Sequence, residues 1–280
     1  MKVACTEKSQ VLASKLAKAL EIPIIHTQFK AFPDGELYLR NGDPDEETVI
    51  VAGFAGSDSL VQTLLLIDAC EGSDVTLVLP YMGYARQDKK FNPGEPVSAR
   101  AMAAALSRGV SRVITVNIHE STVLGQFTAP ASDVTLAPEI GAFLATLGLD
   151  DPLILGPDGG AATFARDVAA SGGWKADHLT KTRLSGEEVR IAPKEVDVLD
   201  RDVVIVDDII STGGTLATAA GMLREQGAAS VRAACVHGVF ASAGYARLAA
   251  AGLEAVMSSD TIESAASSYT AAGAIARALR

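Results

Sequence analysis

The 280-residue sequence has few cysteines, no long apolar run and no apolar N-terminus. Cys5, Cys70 and Cys235 lie far apart, in no metal-binding spacing and in apolar or helical surroundings, so we interpret them as buried free thiols. No apolar run approaches the roughly 20 residues that span a bilayer. The first ten residues, MKVACTEKSQ, lack the apolar stretch of a signal peptide. These absences predict a cytoplasmic protein without a membrane partner.

Positive charge is also scarce. The chain has 24 Lys and Arg against 34 Asp and Glu, which gives a formal net charge of −10 at pH 7. Proteins that bind nucleic acid usually carry a basic surface, so no nucleic-acid partner is expected. A phosphorylated small substrate is not excluded, because its binding depends on a local group of basic side chains.

Common nucleotide and nucleophile motifs are absent as well. The sequence contains no GxxxxGK[ST] loop, no GxGxxG fingerprint and no GxSxG elbow. Nucleotide binding therefore cannot rest on those motifs, and a serine or cysteine nucleophile is not indicated.

The chain does contain a regular alternation of strand-like and helix-like segments. Such an alternation predicts parallel sheets with helices on both faces, and ligands in these folds bind beyond the carboxyl ends of the strands. The pattern restarts near residue 138. We therefore predict two α/β domains, residues 1–136 and 137–280, in a chain long enough for both.

The segment VVIVDDIISTGGT, Val203 to Thr215, is the most specific pattern in the sequence. A predicted strand, Val203 to Val206, ends in Asp207 and Asp208, and a loop leads to a predicted helix, Leu216 to Gln226. Amides at a helix N-terminus and in a glycine-containing loop bind anions. We interpret the segment as a ribose-phosphate site, although similar strand–loop–helix turns without a ligand occur in many α/β proteins.

Two further segments also place a polar residue directly after a predicted strand. LILGPDGG, Leu153 to Gly160, has Asp158 between a predicted strand and helix, where a carboxylate can bind Mg²⁺ and glycine amides a phosphate. His119 follows the predicted strand Arg112 to Ile118. For the segment with Asp158 the alternative is an ordinary strand-to-helix turn. For His119 the alternative is a structural histidine without a ligand.

Three polar segments complete the set of candidates. Tyr84 to Arg100 is a basic, glycine- and proline-containing loop that could close over a polyphosphate, or be simply solvated. Lys181 and Arg183 are two residues apart, so in an extended chain they share a face and could stabilise charge developing in phosphoryl transfer. The segment FPDGE, Phe32 to Glu36, by itself predicts only a turn, because Pro, Asp and Gly favour turns.

Taken together, these segments resemble the ribose-phosphate pyrophosphokinase family and its archaeal branch. YARQDKK with PVSAR, GPDGG and VDDIISTGGT occur in the family's order. The resemblance implies two similar phosphoribosyltransferase-like (Rossmann-like) domains, each a mainly parallel sheet flanked by helices. It also implies transfer of diphosphate from MgATP to the anomeric hydroxyl of ribose 5-phosphate.

The resemblance implies a role for each candidate residue. ATP would be contacted by Phe32, Asp34, Glu36, Arg86, Gln87, Asp88, Lys89 and His119. The first three would reach ATP bound mainly by a neighbouring subunit, which implies a homo-oligomer. His119 and Asp158 would hold Mg²⁺, and Lys181 and Arg183 would be catalytic. Ribose 5-phosphate would be held by Asp207, Asp208, Ser211, Thr212, Gly213, Gly214 and Thr215.

Two positions depart from the family pattern. Many relatives have Asp where this chain has Ser211, and many have Ala where it has Glu120. Two alternatives to the synthetase remain open from sequence: a type I phosphoribosyltransferase, which would consume the diphosphorylated sugar, and a non-catalytic regulatory paralogue.

Overall fold

The computed structural model describes residues 1–183, 189–191 and 196–280. They form two compact units. Unit 1 comprises Met1–Thr135, Asp260–Glu263 and Thr270–Arg280, and unit 2 comprises Leu136–Ser259 and Ser264–Tyr269. The change between units at residue 135 lies one residue from the predicted boundary, but the C-terminal end belongs to unit 1 rather than to the second domain.

Unit 1 contains a sheet of five parallel strands and a separate hairpin. Its strands are β1 (Lys2–Cys5), β2 (Thr27–Ala31), β3 (Leu37–Asn41), β4 (Glu47–Val51), β5 (Asp74–Leu79), β6 (Arg112–Val116) and β7 (Ala131–Val134). The sheet order is β1-β4-β5-β6-β7, and β2 and β3 form the antiparallel hairpin. The helices before residue 136 are α1 (Gln10–Leu20), α2 (Ser57–Asp68) and α3 (Ser98–Leu106), with 3-10 turns at Glu7–Ser9 and Ser121–Gln126.

Unit 2 contains a sheet of six parallel strands and a second hairpin. Its helices are α4 (Ala137–Ala145), α5 (Ala162–Ala170), α6 (Gly214–Glu225) and α7 (Gly244–Ala250). Its strands are β8 (Leu153–Gly156), β9 (Lys175–His178), β10 (Lys181–Arg183), β11 (Val189–Ile191), β12 (Asp202–Ile210), β13 (Ser230–Gly238), β14 (Ala255–Ser259) and β15 (Ser267–Tyr269). The sheet order is β15-β14-β13-β12-β8-β9, and β10 and β11 form the antiparallel hairpin.

The local sequence explains these elements. Central strands of a parallel sheet are covered on both faces and therefore consist of apolar residues; Val49–Val51 in β4 and Val203–Val206 in β12 are fully buried. In α1, Leu12, Leu16 and their alanine neighbours form the buried stripe of an amphipathic helix. The parallel sheets and flanking helices confirm the predicted fold class.

The two sheets share one topology. In sheet position and chain order, β1 corresponds to β8, β4 to β12, β5 to β13, β6 to β14 and β7 to β15. The β2–β3 hairpin corresponds to the β10–β11 hairpin. A single parallel bridge between Val3 and Ile24 takes the place of the β8–β9 pairing. Every loop at the carboxyl edge of one sheet therefore has a counterpart in the other.

The three cysteines are free and buried, which confirms the interpretation from sequence. Burial raises the pKa of the Cys5 and Cys70 thiols to about 11, so neither forms a reactive thiolate at neutral pH. Among the described residues, no helix is long and apolar enough to cross a membrane.

A buried ion pair fixes the C-terminal part of unit 1. The carboxylate of Asp260 is almost completely buried; its Oδ2 lies 2.8 Å from Lys15 Nζ in α1, and its Oδ1 accepts a hydrogen bond from the amide of Ala271 at 2.9 Å. Ala271 immediately precedes the last helix, α8 (Ala272–Leu279). The pair therefore ties the start of α8 to α1.

Replacing Lys15 by methionine is expected to leave the Asp260 carboxylate buried without its cation. Because the Lys15 side chain is half-exposed, we expect a moderate loss of about 2 kcal/mol in the free energy of unfolding, measured by urea denaturation. Lys18→Met, at an exposed position of the same helix, is the control. Equal losses in both variants would contradict a stabilising role for the pair.

Candidate functional site

The paired aspartates lie inside a strand of unit 2 rather than after it. The prediction that this strand ends at Val206 is wrong, because β12 continues to Ile210. Asp207 pairs with Cys235 of β13, while the pairing resumes only at Ile209. The Asp207 Oδ1 accepts a hydrogen bond from the amide of Asp208 at 3.0 Å, and the Asp208 Oδ1 accepts one from the amide of Ile209 at 2.7 Å. The backbone thus fixes both carboxylates.

The charges of three carboxylates interact at this edge. Burial raises the pKa of Asp207 well above its ordinary value, and the negative charges of Asp208 and, more weakly, Asp158 raise it further. Asp158 follows β8, the neighbour of β12 in the sheet. Three of the predicted site residues therefore lie at the same edge of the sheet, although no group of three or more His, Cys, Asp or Glu side chains among the described residues could hold a metal ion.

The helix that follows the loop after β12 begins earlier in the sequence than predicted. Helix α6 starts at Gly214, not at Leu216, with Gly213 before it in the left-handed region at φ 72°. Its N-cap residue, Gly213, has no side chain that could cap the first turn of α6. Its amides are therefore available to an anion, as expected for a phosphate loop.

Residues of helix α7 pack against this loop. The sequence analysis did not identify these residues. A Cβ on Gly244 would overlap the carbonyl oxygen of Ser211, and one on Gly213 would lie 2.9 Å from Leu248 Cγ. The Arg247 guanidinium donates to the Thr212 carbonyl. No motif marks these α7 residues in the sequence; their role depends on the close approach of backbone to backbone.

Asp158 also has a structural role. Its Oδ1 accepts hydrogen bonds from the amides of Gly160 at 2.9 Å and Ala161 at 3.3 Å, immediately before α5. This is the ordinary turn that the sequence left open as an alternative. A bound cation is compatible with it, because a carboxylate has further lone pairs.

Lys181 and Arg183 lie in the β10–β11 hairpin of unit 2. Lys181 pairs with Ile191 and Arg183 with Val189. The backbone is therefore extended, as predicted, and their catalytic role stays a prediction. Residues 184–188 of the same segment lie outside the described residues.

In unit 1, His119 follows β6, which ends at Val116 rather than at Ile118. His119 is exposed. The loop is anchored by Asp133, whose Oδ1 accepts hydrogen bonds from Thr115 Oγ1 at 2.5 Å and from the amide of Ile118 at 3.0 Å. His119 is thus placed at the carboxyl edge of its sheet, where the sequence predicted it.

The basic loop of unit 1 follows β5. Arg86 and Lys89 are exposed, and Gln87 and Asp88 are half-buried. Gln87 accepts a hydrogen bond from Ser98 Oγ through its side chain, and from the amide of Ala99 at 3.2 Å through its backbone. Gln87 therefore fixes the start of α3 and is partly engaged within the protein, whereas Arg86 is accessible.

Phe32, Asp34 and Glu36 form the tip of the β2–β3 hairpin. The Phe32 amide donates to the Glu36 carbonyl at 2.8 Å, and the Glu36 amide donates to Asp34 Oδ1 at 3.3 Å. Phe32 is 50% exposed and contacts only the edge of Tyr38 among the described aromatic rings, with centroids 5.8 Å apart. The turn predicted from sequence is present, and it presents an aromatic ring to solvent.

Models of known families match both units. The model of the N-terminal domain of ribose phosphate pyrophosphokinase matches residues 1–109, and the phosphoribosyl transferase domain model matches residues 140–251. A ribose-phosphate pyrophosphokinase of Methanosarcina acetivorans is 46% identical, over 100% of this chain and 99% of the relative. The chain belongs to the ribose-phosphate pyrophosphokinase family.

Other relatives agree with this family assignment. A ribose-phosphate pyrophosphokinase of Halobacterium salinarum is 45% identical, over 97% of this chain and 98% of its own length. The crystal structure of phosphoribosylpyrophosphate synthetase from Mycobacterium smegmatis superposes with a TM-score of 0.84 at 28% identity, covering 100% of this chain and 97% of that one. The resemblance stated from the sequence motifs is confirmed.

Replacing Asp207 by asparagine is expected to stabilise the substrate-free protein. The pKa of Asp207 is higher in the folded than in the unfolded chain. At pH values between these two pKa values, Asp207 is protonated in the folded state and ionised in the unfolded state. The free energy of unfolding of the wild type therefore falls as pH rises through that window. The variant avoids this loss.

We expect the melting temperature of Asp207→Asn to match that of the wild type near about pH 4 and to exceed it by about 2–4 °C at neutral pH. The measurement is thermal unfolding across pH in the presence of a chelator. Asp167→Asn, at an exposed position of α5, is the control. A variant that is less stable than the wild type at neutral pH would contradict the repulsion between the carboxylates.

Proposed function

We propose that this chain transfers diphosphate from MgATP to the anomeric hydroxyl of ribose 5-phosphate, giving phosphoribosyl pyrophosphate and AMP. The observation that carries the proposal is the β12–α6 segment, where two carboxylates precede an uncapped helix start in a chain that matches the family along its whole length. A sugar phosphate has the hydroxyls and the anion that these two features bind.

The acceptor site is built from unit 2. Asp207 and Asp208 accept hydrogen bonds from ribose hydroxyls, which are neutral donors and suit carboxylates. The 5-phosphate is bound by the loop and the first turn of α6, with the hydroxyls of Ser211, Thr212 and Thr215 as further donors. Arg247, through its bond to the Thr212 carbonyl, holds this loop in position.

The donor site is built from unit 1. Arg86, Gln87, Asp88 and Lys89 bind ATP together with His119, with the exposed Arg86 guanidinium stacking on the adenine. Phe32, Asp34 and Glu36 complete this site in a neighbouring subunit. The exposed Phe32 ring supports that assignment, since a half-exposed aromatic side chain on a hairpin tip is suited to a contact with another molecule. The protein is therefore a homo-oligomer with a shared ATP site.

The residues fit magnesium. The clustered carboxylates of unit 2 supply hard oxygen donors, and their mutual repulsion, seen in the raised pKa of Asp207, favours a nearby cation. Among the described residues, no group of three or more acidic, histidine or cysteine side chains could hold a metal ion by itself. This suits Mg²⁺, which usually binds one or two carboxylates together with substrate phosphates and water. Asp158 would hold Mg²⁺ at unit 2 and His119 at unit 1, and bound Mg²⁺ would neutralise charge on the polyphosphate.

The protein's own contribution is alignment and charge stabilisation. The oxygen of the anomeric hydroxyl attacks the β-phosphorus and loses its proton to solvent water. The bond between that phosphorus and the oxygen bridging to the α-phosphate breaks, so AMP leaves with that oxygen and diphosphate moves as a unit. Asp207, Asp208 and the loop hold the sugar in one orientation for the attack. Lys181 and Arg183 stabilise the negative charge that develops on the transferred group.

We also place the protein in the cytoplasm. Its three cysteines are free and buried, which is compatible with a reducing compartment. Both proposed substrates are small phosphorylated molecules, and the acidic surface charge does not favour nucleic acid.

Mixing the purified protein with MgATP and ribose 5-phosphate is expected to form AMP in step with phosphoribosyl pyrophosphate, measured by chromatography and phosphorus NMR. Omitting ribose 5-phosphate is the control, and AMP should then stay at background. A type I phosphoribosyltransferase would instead consume added phosphoribosyl pyrophosphate with a base, and a regulatory paralogue would form no AMP. Either result would refute the proposal.

Lys181→Ala is expected to lower kcat by about 10²–10³-fold, since it removes a preorganised positive charge from the transferred group. The KM for ribose 5-phosphate and the oligomeric state should change little. Lys175→Ala, which removes an exposed lysine of β9 in the same unit, is the matched control. An unchanged kcat for Lys181→Ala would show that the catalytic role is assigned to the wrong residue.

A further inference from the structure

Helix α2 of unit 1 exposes an apolar side. The residues that it buries are Ser59, Gln62, Thr63, Leu66 and Ile67. The opposite side exposes Val61 at 43% and both Leu64 and Leu65 at 37%. At about 100° per residue, these three side chains lie within about one third of the helix circumference. A helix that covers only its own core carries polar residues on its outer side, so the outer side of α2 is suited to contact with a further surface.

Two exposed carboxylates border this apolar group, Asp58 at one end and Asp68 at the other. The helix contains no lysine or arginine. Asp68 is its last residue, where the helix dipole disfavours a negative charge. Among the described residues neither carboxylate forms an ion pair, so both are available to a cation from another surface. We call Asp58, Val61, Leu64, Leu65 and Asp68 the α2 face.

The β2–β3 hairpin carries a basic and aromatic surface on its outer side. Along both strands half-buried positions alternate with exposed ones, and on the inner side Leu39 packs against the core of unit 1. The exposed side chains of the outer side are neighbours, because Lys30 pairs with Tyr38 and Gln28 with Arg40. Neither strand contains an acidic residue. We call Gln28, Lys30, Tyr38 and Arg40 the outer hairpin face.

The two faces match in charge and in length. Lys30 and Arg40 flank an aromatic ring on the hairpin, and among the described residues neither forms an ion pair. Two carboxylates flank three aliphatic side chains on α2. A five-residue strand is about 16 Å long, and the ten-residue step from Asp58 to Asp68 is about 15 Å along the helix axis. The outer hairpin face therefore covers the α2 face from end to end.

Packing of α2 against the α2 of a second copy is disfavoured by the same charges. An antiparallel pair would place Asp58 of one copy near Asp68 of the other, and a parallel pair would place each aspartate near its own equivalent. Like charges opposed across an interface cost binding free energy. The hairpin of a second copy meets no such repulsion.

The α2 face is also continuous with the basic loop that we assign to ATP. The hydroxyl of Ser57, the first residue of α2, lies 3.3 Å from the hydroxyl of Tyr84. Tyr84 is exposed and precedes Arg86 by two residues. A hairpin whose tip reaches ATP at this loop therefore has the α2 face of the same neighbour beside it.

We propose that the outer hairpin face of one copy of this chain docks on the α2 face of a second copy. The Tyr38 ring packs on the aliphatic side chains of α2, and Lys30 and Arg40 pair with Asp58 and Asp68 of the second copy. In a dimer with two-fold symmetry the contact is made twice. The inference rests on the proposed function for the position of the hairpin tip at a neighbour's ATP site; the exposure and charge of the two faces do not depend on it.

The first test reverses the charges of the two faces in the full-length protein. One variant has an acidic hairpin, Lys30→Glu with Arg40→Glu, and the other has a basic helix, Asp58→Lys with Asp68→Lys. Each variant alone carries like charges on both faces, so we expect its self-association in analytical ultracentrifugation to weaken at least about tenfold. An equimolar mixture should associate within about threefold of the wild type, because each hairpin then meets a helix of opposite charge.

The control is Arg108→Glu, which reverses an exposed arginine of unit 1 outside both faces and should associate like the wild type. A wild type that sediments as a monomer would overturn the proposal. The same holds if either reversed variant alone associates as tightly as the wild type, or if the mixture is as weak as its components.

The second test is cysteine cross-linking, which identifies the surfaces that touch. The native cysteines are buried, so a short bis-maleimide reacts with introduced thiols instead. After subunit exchange, Gln28→Cys and Leu64→Cys proteins should form a cross-linked heterodimer. Leu147→Cys, at a leucine of unit 2 that is 38% exposed, replaces Leu64→Cys in the control and should give no such product. Cross-linking of Leu64→Cys to itself alone would show that α2 packs on α2, which would refute the proposal.

Neither test uses a substrate, so its result is independent of the proposed reaction. If the two faces associate but the protein forms no AMP, only the proposed function fails. If the protein forms AMP but the faces neither cross-link nor respond to charge reversal, only the docking of hairpin on α2 fails.

Discussion

The structure depends on one geometric constraint: in a parallel sheet, the carboxyl end of each strand and the start of the following helix meet at the same edge. Each helix start there exposes amides without intrahelical partners. In unit 2 these amides belong to α6 and lie beside Asp207 and Asp208. The same edge therefore offers acceptors for hydroxyls and donors for a phosphate, which are the two kinds of group a ribose phosphate presents.

Sequence patterns predicted the features that depend on neighbours along the chain. The alternating elements and the hairpin turn at residues 32–36 both follow from local propensity. The end of β12 was misplaced because two carboxylates are unfavourable in most strands. Here β13 runs beside β12 as far as Gly238, and this tertiary pairing overrides the local preference. Element ends were less predictable than element order for that reason.

The features that sequence could not predict are contacts between distant residues. Gly244, Arg247 and Leu248 support the phosphate loop only because α7 approaches the backbone of residues 211–213. The ion pair of Asp260 and Lys15, which are 245 positions apart, ties the start of α8 to α1 within unit 1. Neither contact leaves a spacing or a composition signal. One chain cannot reveal such pairs without the fold, whereas a strand–loop–helix motif is visible within thirteen residues.

Because the net charge is −10, the local groups of the proposed phosphate site matter more than the overall charge of the protein. An acidic protein cannot attract a polyanion by its overall field, so affinity must come from oriented amides, a few basic side chains and the cation that accompanies the nucleotide. Ser211 fits this requirement. Its carbonyl is fixed against Gly244 of α7, so the loop position is set by the backbone whichever side chain it carries. Compared with the carboxylate that the family pattern would place there, a hydroxyl removes one negative charge beside the proposed phosphate position and leaves the loop backbone unchanged.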